Sequence, residues 1–383
     1  MTDLLEDLLW LIGVPSVTGE EEVLCTALAR RLSPRFGADG IARVGNSLVV
    51  GRPTGKPQIT LYGHLDTVPA QGNAVGRLEG TRVVGLGASD MKSGLAVMLG
   101  LLEDEAVAGG PYDVVGVFYD KEEGPAHDNG LEDVLDRVPW LCDAEFAVVM
   151  EPTDLQLELG CQGAMNATVS FLGTAAHSAR PWLGVNAISR AVPWLADMAA
   201  REPERVDLGG LQFLETFNVT MASGGVARNV IPARLDLNLN YRFPPDRTLA
   251  QAEARLREVA APADLVEIVD RAPPAPIPES NDHLDRLTAV SGATRNGKQA
   301  WTDVARLAAR GIPAVNYGPG ETAEAHRSTE SVAAASLRTA FDAMKRFQTV
   351  GGESPRVPGV PSRRAHRHRH RLRGATGPPR PHR

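Results

Sequence analysis

The chain has 383 residues, of which 43% are hydrophobic, 23% charged and 5% aromatic. This is the composition of a globular protein with a full core, and the length predicts two domains or one large domain. No stretch reaches the roughly 18 consecutive apolar residues of a membrane helix, and the N-terminus does not have the form of a signal peptide. Cys25, Cys142 and Cys161 are scattered and include no CxxC pair. The sequence therefore supports neither a disulfide framework nor a cysteine zinc site, and we expect the cytoplasm as its compartment.

The net charge of −7 is distributed unevenly. Residues 356–383 hold nine Arg, four of the nine His and no acid, whereas residues 1–355 carry 31 basic and 47 acidic side chains. Such an acidic body is a poor binder of polyanions, so we expect neither nucleic acid nor a membrane as a partner. The Pro-, Gly- and Arg-rich tail of 351–383 is expected to be disordered. Its HRHRH run could bind metal or nucleic acid weakly, but a solvated tail is the better explanation.

The first 163 residues have the pattern of an α/β protein. Thr18, followed by Glu21 three residues later, has the form of a capping box and predicts that a helix begins there. Three short apolar runs rich in β-branched residues indicate buried strands, over residues 58–62, 113–119 and 145–150. A helix is predicted between them over residues 92–103. Buried strands alternating with helices favour a largely parallel sheet.

The pattern changes to period-two alternation after about residue 163, which is typical of half-exposed antiparallel strands. The alternating stretches are MNATVSFLG (165–173), FNVTMASGG (217–225) and RLDLNLNYRF (234–243). Helices are predicted around them over residues 186–201 and 248–260. This is an α+β insert of roughly 110 residues. The Pro-rich segment RAPPAPIP (271–278) has the composition of a hinge, and a second α/β stretch follows it.

Residues that commonly bind metal follow the predicted strands of the α/β part. They are His64 and Asp66, Glu122 and Glu123, Glu151, and His326, with Asp90 just before the helix predicted over 92–103. Since the carboxyl edge of an open α/β sheet is where sites are built, this placement predicts one common site. Two imidazoles and several carboxylates without a thiolate suit zinc, cobalt or manganese.

Each of these residues has an ordinary explanation when taken alone. His64 could be a turn histidine, the pair Glu122 and Glu123 a solvated surface charge, and Asp90 a helix cap. Their joint position at strand ends favours the metal site instead. On extended backbone His64 and Asp66 share a face, so Asp66 is predicted to accept the second ring N–H of a metal-bound His64. Of the two adjacent glutamates, one can bind metal while the other serves as a base.

Seven motifs in a fixed order make residues 4–348 similar to the M20 metallopeptidases, the aminoacylase and carboxypeptidase G2-like two-zinc hydrolases. They are GHLDTVP (63–69), GLGASDMKSG (85–94), EEG (122–124), EPT (151–153), GTAAHSARP (173–181), RNVIP (228–232) and AHRSTE (325–330). One departure is Lys121, which separates Asp120 from the glutamate pair where many members have Asp directly before it.

The resemblance implies an α/β, zinc-peptidase-like catalytic domain with a mixed, mostly parallel sheet. An α+β, ferredoxin-like dimerisation (lid) domain would interrupt it. The implied boundaries are 1–163 and 273–350 for the catalytic domain, 164–272 for the lid and 351–383 for the tail. The expected assembly is a homodimer.

The resemblance also implies two zinc ions, for which cobalt or manganese could substitute. Asp90 would bridge the two ions. His64 and Glu151 would complete the protein ligands of one ion, and Glu123 and His326 those of the other.

The remaining implied roles belong to catalysis. Glu122 would be the general base, and Asp66 would orient a metal-bound histidine. His177 matches the family histidine that reaches across the dimer to stabilise the oxyanion, although it could instead cap its own loop.

Arg180, Asn229 and Arg242 look similar to family residues that hold substrate carboxylates and the carbonyl oxygen. A guanidinium pairs bidentately with a carboxylate, but an ion pair within the insert would explain either arginine as well.

Residues 173–188 and 298–320 resemble the actinobacterial branch of the family that cleaves the linear amide of N-succinyl-LL-2,6-diaminopimelate, on the route to lysine. The expected substrate is thus a small N-acyl amino acid. Two alternatives stay open. One is acetylornithine deacetylase or another N-acyl-amino-acid hydrolase, and the other is an inactive family member that acts as a binding or scaffold protein.

Overall fold

A computed structural model of the chain describes residues 3–350, so the predicted tail lies outside the described residues. The helices are α1 (Leu4–Gly13), α2 (Glu22–Phe36), α3 (Lys92–Glu103), α4 (Glu105–Ala108), α5 (Leu131–Arg137), α6 (Ala187–Ala200), α7 (Leu249–Val259), α8 (Asp282–Ser291), α9 (Val304–Ala309) and α10 (Ala334–Thr349). The strands are β1 (Ile41–Val44), β2 (Ser47–Val50), β3 (Gln58–His64), β4 (Arg77–Glu79), β5 (Arg82–Val84), β6 (Asp113–Tyr119), β7 (Phe146–Val149), β8 (Leu157–Leu159), β9 (Gly163–Leu172), β10 (Glu204–Leu208), β11 (Leu211–Gly224), β12 (Arg234–Phe243), β13 (Leu265–Ala272), β14 (Arg295–Gly297), β15 (Ala314–Asn316) and β16 (Ser331–Ala333).

An eight-stranded mixed sheet forms the larger part of the molecule, with the order β1-β2-β6-β3-β7-β15-β8-β14. Its centre is parallel, because β3 pairs in parallel with β6 and β7, and β15 pairs in parallel with β7. Strands β3 and β7 are buried along their whole length, as expected for a sheet covered on both faces. The predicted α/β class with a mostly parallel sheet is confirmed.

Two hydrophobic clusters cover the faces of this sheet. One contains residues of α1, α2, α3, α8 and α10, and the other contains residues of α5 and α9. Helix α3 lies very close to the sheet edge, because a Cβ at Gly94 would be only 2.3 Å from the carbonyl oxygen of Met150. This close approach brings the N-terminal end of α3 beside the segment that follows β7.

A five-stranded antiparallel sheet, in the order β10-β11-β12-β9-β13, is built from residues 163–272. Helices α6 and α7 pack on one face and share a hydrophobic cluster with β9 and β12. Apart from the extra strand β10, the chain order is βαββαβ, which is the ferredoxin-like arrangement predicted for the insert.

The third sheet is small, and it connects two segments far apart in the chain. Strand β5, which precedes Asp90, pairs with β16, which follows His326, and β4 completes the sheet. The loops that carry these two predicted metal ligands therefore run side by side. Within the described part of the chain, no helix has both the length and the apolar character needed to span a bilayer.

The capping box predicted at Thr18 is wrong. Helix α2 begins at Glu22, and its N-cap position, Glu21, makes no side-chain cap hydrogen bond. The backbone N–H of Thr18 donates instead to the carbonyl of Thr67 at 3.1 Å, and the Thr18 hydroxyl donates to Asp66 at 2.9 Å. Tertiary contacts with the segment after β3 thus use the atoms that a local cap would need.

Candidate metal centre

The parallel strands bring the predicted ligands to one edge of the eight-stranded sheet. His64 is the last residue of β3 and pairs in register with Tyr119, the last residue of β6. Glu122 and Glu123 lie three and four residues beyond the end of β6, and Glu151 lies two residues beyond the end of β7. Because these strands run in the same direction, the three ends meet.

Asp90 lies between two imidazoles. Its Oδ1 is 3.2 Å from Nε2 of His64, and its Oδ2 is 3.5 Å from Nε2 of His326. The same nitrogen of His326 is 2.9 Å from Oε1 of Glu123. Each oxygen of one carboxylate therefore faces a different histidine, which is the arrangement that a bridging ligand requires.

Two ligand groups share this carboxylate. His64, Asp90 and Glu151 form one group, and Asp90, Glu123 and His326 form the other, with the donor atoms of each group within 4.8 Å of one another. The structure thus brings together all five predicted ligands. Two atoms bound to one tetrahedral zinc at about 2.0–2.1 Å lie about 3.3 Å apart. The observed separations around Asp90 are close to that value.

The electrostatics of the cluster also suit a cation. Burial, together with the nearby Asp90, raises the pKa of Glu151 to about 8. Burial raises the pKa of Glu122 well above its usual range, and the carboxylates of Glu151 and Glu123 add to that shift. Hydrogen bonds to Asp90 and Glu123 raise the pKa of His326 to about 10. Acids crowded in this way are stabilised by a bound divalent ion, and the nitrogen and oxygen donors fit zinc, cobalt or manganese.

Asp66 holds the glutamate pair as well as the histidine. Its carboxylate accepts the backbone N–H groups of Glu122 and Glu123, both at 3.0 Å, and the hydroxyl of Thr18 at 2.9 Å. Nδ1 of His64 is nearer to the carbonyl oxygen of Asp66, at 3.0 Å, than to its carboxylate, at 3.5 Å. Burial alone would raise the pKa of Asp66, but the hydrogen bonds outweigh it and lower that pKa. Asp66 therefore contacts both the loop after β6 and His64. The His64 ring was predicted to donate to the Asp66 carboxylate, and its nearer acceptor is the Asp66 backbone carbonyl.

Comparison with known proteins places this cluster in a family. Residues 60–349 match the model of peptidase family M20/M25/M40. The chain belongs to this family. It is therefore a metal-dependent hydrolase that acts on an amide bond.

Named relatives cover most of the chain. A Mycobacterium tuberculosis protein provisionally named succinyl-diaminopimelate desuccinylase DapE is 38% identical over 344 residues, which is 89% of this chain and 96% of the relative. The succinyl-diaminopimelate desuccinylase of Corynebacterium glutamicum is 34% identical over 335 residues, covering 84% and 89% of the two chains.

Solved structures support the fold. The aminopeptidase PepT of Bacillus cereus has a TM-score of 0.71 at 19% identity, covering 90% of this chain and 97% of its own. The Bacillus subtilis YXEP protein, described as a dinuclear metal-binding peptidase of the M20 family, has a TM-score of 0.62 at 18% identity, covering 90% and 96%.

Two charged residues near the predicted metal ligands were not predicted from the sequence. Lys298 is buried, donates to the carbonyl of Pro152 at 3.1 Å and lies 2.6 Å from Oε2 of Glu158, so it steadies the loop that carries Glu151. Asp303 is fully buried and accepts from Arg306 at 2.8 Å. A single Lys in a loop carries no recognisable signal, and an Asp before an apolar run has the pattern of a helix cap.

The predicted oxyanion histidine, His177, and the three predicted substrate-binding residues lie on the five-stranded part of the molecule. His177 and Asn229 are neighbours, because the N–H of Ser178 donates to the carbonyl of Asn229 at 2.9 Å. Arg242 is half-buried, its side chain donates to Asn240 at 3.2 Å, and burial lowers its pKa. Arg180 lies in the loop beside His177 and is exposed. Among the hydrogen bonds of residues 3–350, none joins these four side chains to the predicted metal ligands.

Proposed function

We propose that this family M20/M25/M40 enzyme is a two-zinc amide hydrolase that cleaves N-succinyl-LL-2,6-diaminopimelate to succinate and LL-2,6-diaminopimelate. The observation that carries the two-metal part is the Asp90 carboxylate, whose two oxygens face His64 and His326. The substrate part is supported by two relatives, at 38% and 34% identity, that carry this activity in their names. Cobalt or manganese could replace zinc, since the donor atoms are nitrogen and oxygen.

In the proposed mechanism, Glu122 moves the proton. Two zinc ions held by the five ligands would polarise the amide carbonyl and lower the pKa of the attacking water. Glu122 accepts a proton from that water as its oxygen bonds to the carbonyl carbon. It then donates the proton to the leaving amine nitrogen as the C–N bond breaks. Asp66 keeps Glu122 at the centre by holding its backbone N–H at 3.0 Å.

The substrate carries several carboxylates, so cationic side chains are needed to bind it. Arg242 is suited to this because it is half-buried and its hydrogen-bond partner is an amide instead of an acid. We assign Arg180 and Asn229 to the same substrate-binding surface as Arg242. Asn229 lies beside His177.

We propose a homodimer in which residues 164–272 form the lid and dimerisation domain of a catalytic domain made of 1–163 and 273–350. Strand β10 pairs with β11 only as far as Glu215, so beyond that residue the outer edge of β11 has no strand partner in the described chain. Met221 and Val226, on and just after this stretch, are 70% and 86% exposed. An open edge with apolar side chains favours pairing with a second copy of the chain.

Mixed dimers test the role of His177. Chains with His177→Ala and chains with Glu122→Gln should each be nearly inactive alone. Co-expression should restore up to about a quarter of wild-type activity, because a mixed dimer holds one site with both residues intact. No recovery in a sample shown to contain mixed dimers would exclude His177 acting across the dimer.

We also propose that the enzyme is cytoplasmic, on the basis of its cysteines. Cys25 and Cys161 are buried, and burial raises the pKa of each thiol to about 11. Such inert, unpaired thiols suit the reducing cytoplasm, where we place the enzyme.

Turnover by the zinc-loaded protein tests the reaction. N-succinyl-LL-2,6-diaminopimelate should be cleaved in clear preference to N-acetylornithine and simple N-acyl amino acids, and a chelator should abolish turnover until zinc is restored. Preference for an acetylated substrate would keep the metal mechanism but overturn the substrate assignment. Two bound metals without turnover on any of these amides would point to an acyl group outside this set and overturn the substrate assignment.

A further inference from the structure

Glu330 binds the loop that carries Asp90, although it lies 240 residues further along the chain. Its Oε2 accepts the backbone N–H of Gly87 at 2.9 Å, and its Oε1 accepts those of Ser89 and Asp90, both at 2.9 Å. The residue is 1% exposed. Both carboxylate oxygens are therefore occupied by the backbone of one loop.

A second set of hydrogen bonds joins the same two segments. The Ser89 hydroxyl donates to the carbonyl of Glu321 at 3.1 Å and accepts the N–H of Glu321 at 2.7 Å. The N–H of Gly85 donates to the backbone carbonyl of Glu330 at 3.0 Å. The segment 321–330 also contains His326, so these bonds connect the loops of two predicted metal ligands.

We propose that Glu330 is a positioning residue that fixes Asp90 between the two metals. This inference rests on the proposed two-metal function. A carboxylate that must reach two ions at once tolerates little displacement, so its backbone has to be held in place. Glu330 does this by binding the N–H of Asp90 itself together with two N–H groups just before it.

The chemistry of the contact requires a carboxylate. Three backbone N–H groups donate to this side chain, so each of its atoms that meets them must be a hydrogen-bond acceptor. An ionised carboxylate offers two acceptor oxygens and no donor. In Glu330→Gln the amide group would present its own N–H to a backbone donor. In Glu330→Asp the charge is kept, but the side chain is one methylene shorter and cannot meet all three groups at 2.9 Å.

The test compares metal binding by the two Glu330 variants and one control. Glu321→Gln is the matched control, because the Glu321 carboxylate binds Arg82 and the N–H of Ala333 and not the Asp90 loop. Zinc affinity is measured by competition with a chromogenic chelator, and the ligand geometry by the absorption spectrum of the cobalt-loaded protein. We expect Glu330→Gln to bind at least one zinc about 10–100-fold more weakly, with an altered cobalt spectrum. The control should match the wild type in both.

Kinetics separate positioning from simple loss of structure. At saturating zinc, Glu330→Gln should have a lower kcat with KM close to that of the wild type, because Asp90 would hold the metals and would not contact the acyl group. Wild-type zinc affinity and cobalt spectrum in Glu330→Gln would overturn the proposal. If Glu330→Gln does not fold, the same zinc titration is made on Glu330→Asp, and wild-type zinc affinity in that variant would overturn the proposal.

The zinc titration contains no substrate, so it is independent of the substrate assignment. A wrong substrate assignment would fail only the turnover assay, whereas a wild-type chain that binds no zinc would overturn both proposals.

Discussion

The carboxylates of Glu122 and Glu123 have different surroundings, although the two residues are adjacent and both lie in a third candidate ligand group with His64. Glu123 is 2.9 Å from His326 and belongs to a ligand group with Asp90, whereas the high pKa of Glu122 reflects burial near Glu151. Glu122→Gln should therefore keep its zinc and lose turnover by about 10²–10⁴-fold, the usual contribution of a general base. Zinc content and kcat, measured on the same sample, check this. The control Glu105→Gln, on the surface of α4, should behave as wild type, and normal turnover in Glu122→Gln would remove it as the base.

His326 is the most exposed of the five predicted ligands, with 52% of its side chain accessible. His326→Ala should leave the fold intact and lower the zinc content from two equivalents towards one, because only the second ion loses a ligand. Elemental analysis after dialysis measures this. His127→Ala is the control, since His127 lies in the same loop region as Glu123 and is 83% exposed. Two retained equivalents in His326→Ala would contradict the ligand assignment.

At this scale, the sequence predicted which side chains gather at the sheet edge better than it predicted the residues that hold them there. His64, Glu123 and Glu151 follow strands whose apolar runs are recognisable, and parallel strands must bring their ends together. Thr18 and Glu330 act on the site through hydrogen bonds across 48 and 240 residues of chain. No local pattern encodes such contacts, because they depend on how distant loops pack. For the same reason the carbonyl of Asp66, and not its carboxylate, is nearest to the His64 ring.

Among the secondary-structure elements, α4 and α10 are joined through Asp104. Its carboxylate caps α4 by accepting the N–H groups of Ala106 and Val107 at 2.9 and 3.1 Å, and it lies 2.6 Å from Nζ of Lys345 on α10. Asp104→Ala should lower the free energy of unfolding by about 1 kcal/mol at pH 7, the usual value of an N-cap. Urea unfolding measures this. Asp104→Asn is the matched variant, since it keeps a capping oxygen and removes the charge.

The same residue gives a pH dependence with a definite sign. Burial opposes the shift, but the hydrogen bonds from Lys345 and the α4 backbone lower the pKa of Asp104 below its usual 3.8. A group with a lowered folded pKa stabilises above the unfolded pKa and loses that contribution as the pH falls through the folded value. The stability difference between wild type and Asp104→Asn should therefore be equal at pH 7 and pH 5 and shrink near pH 3. A difference that grows on acidification would contradict the assignment.

Long central elements were predictable, whereas short or tertiary-dependent ones were not. The apolar runs predicted β6 and α3 at their observed bounds, and β3 and β7 to within two residues. Strands β8 and β14, the last two at one end of the sheet, have three residues each and carry too little pattern to be recognised. The start of α2 was placed too early, because Thr18 binds Asp66 instead of capping the helix.

On the scale of the whole molecule, α10 is the last element of the described chain, and it packs into the main core. Phe341, Met344 and Phe347 of this helix belong to the main hydrophobic cluster, and the helix ends at Thr349. Deleting the basic residues 356–383 should therefore leave the fold intact and turnover within a few-fold of the wild type. Thermal unfolding and kcat/KM of the shortened chain measure both.

A second truncation supplies the control for that deletion. Removing residues 341–383 takes the same tail together with Phe341, Met344 and Phe347, and burying each such side chain contributes roughly 1.5–3 kcal/mol. That chain should not fold stably, because the loss is comparable to the entire stability of an ordinary domain. A shortened chain ending at residue 355 that folds but loses most of its turnover would show that the basic tail takes part in catalysis or substrate capture. In that case the loss should depend on ionic strength, since the tail would act on the acidic body or on the anionic substrate through its charge.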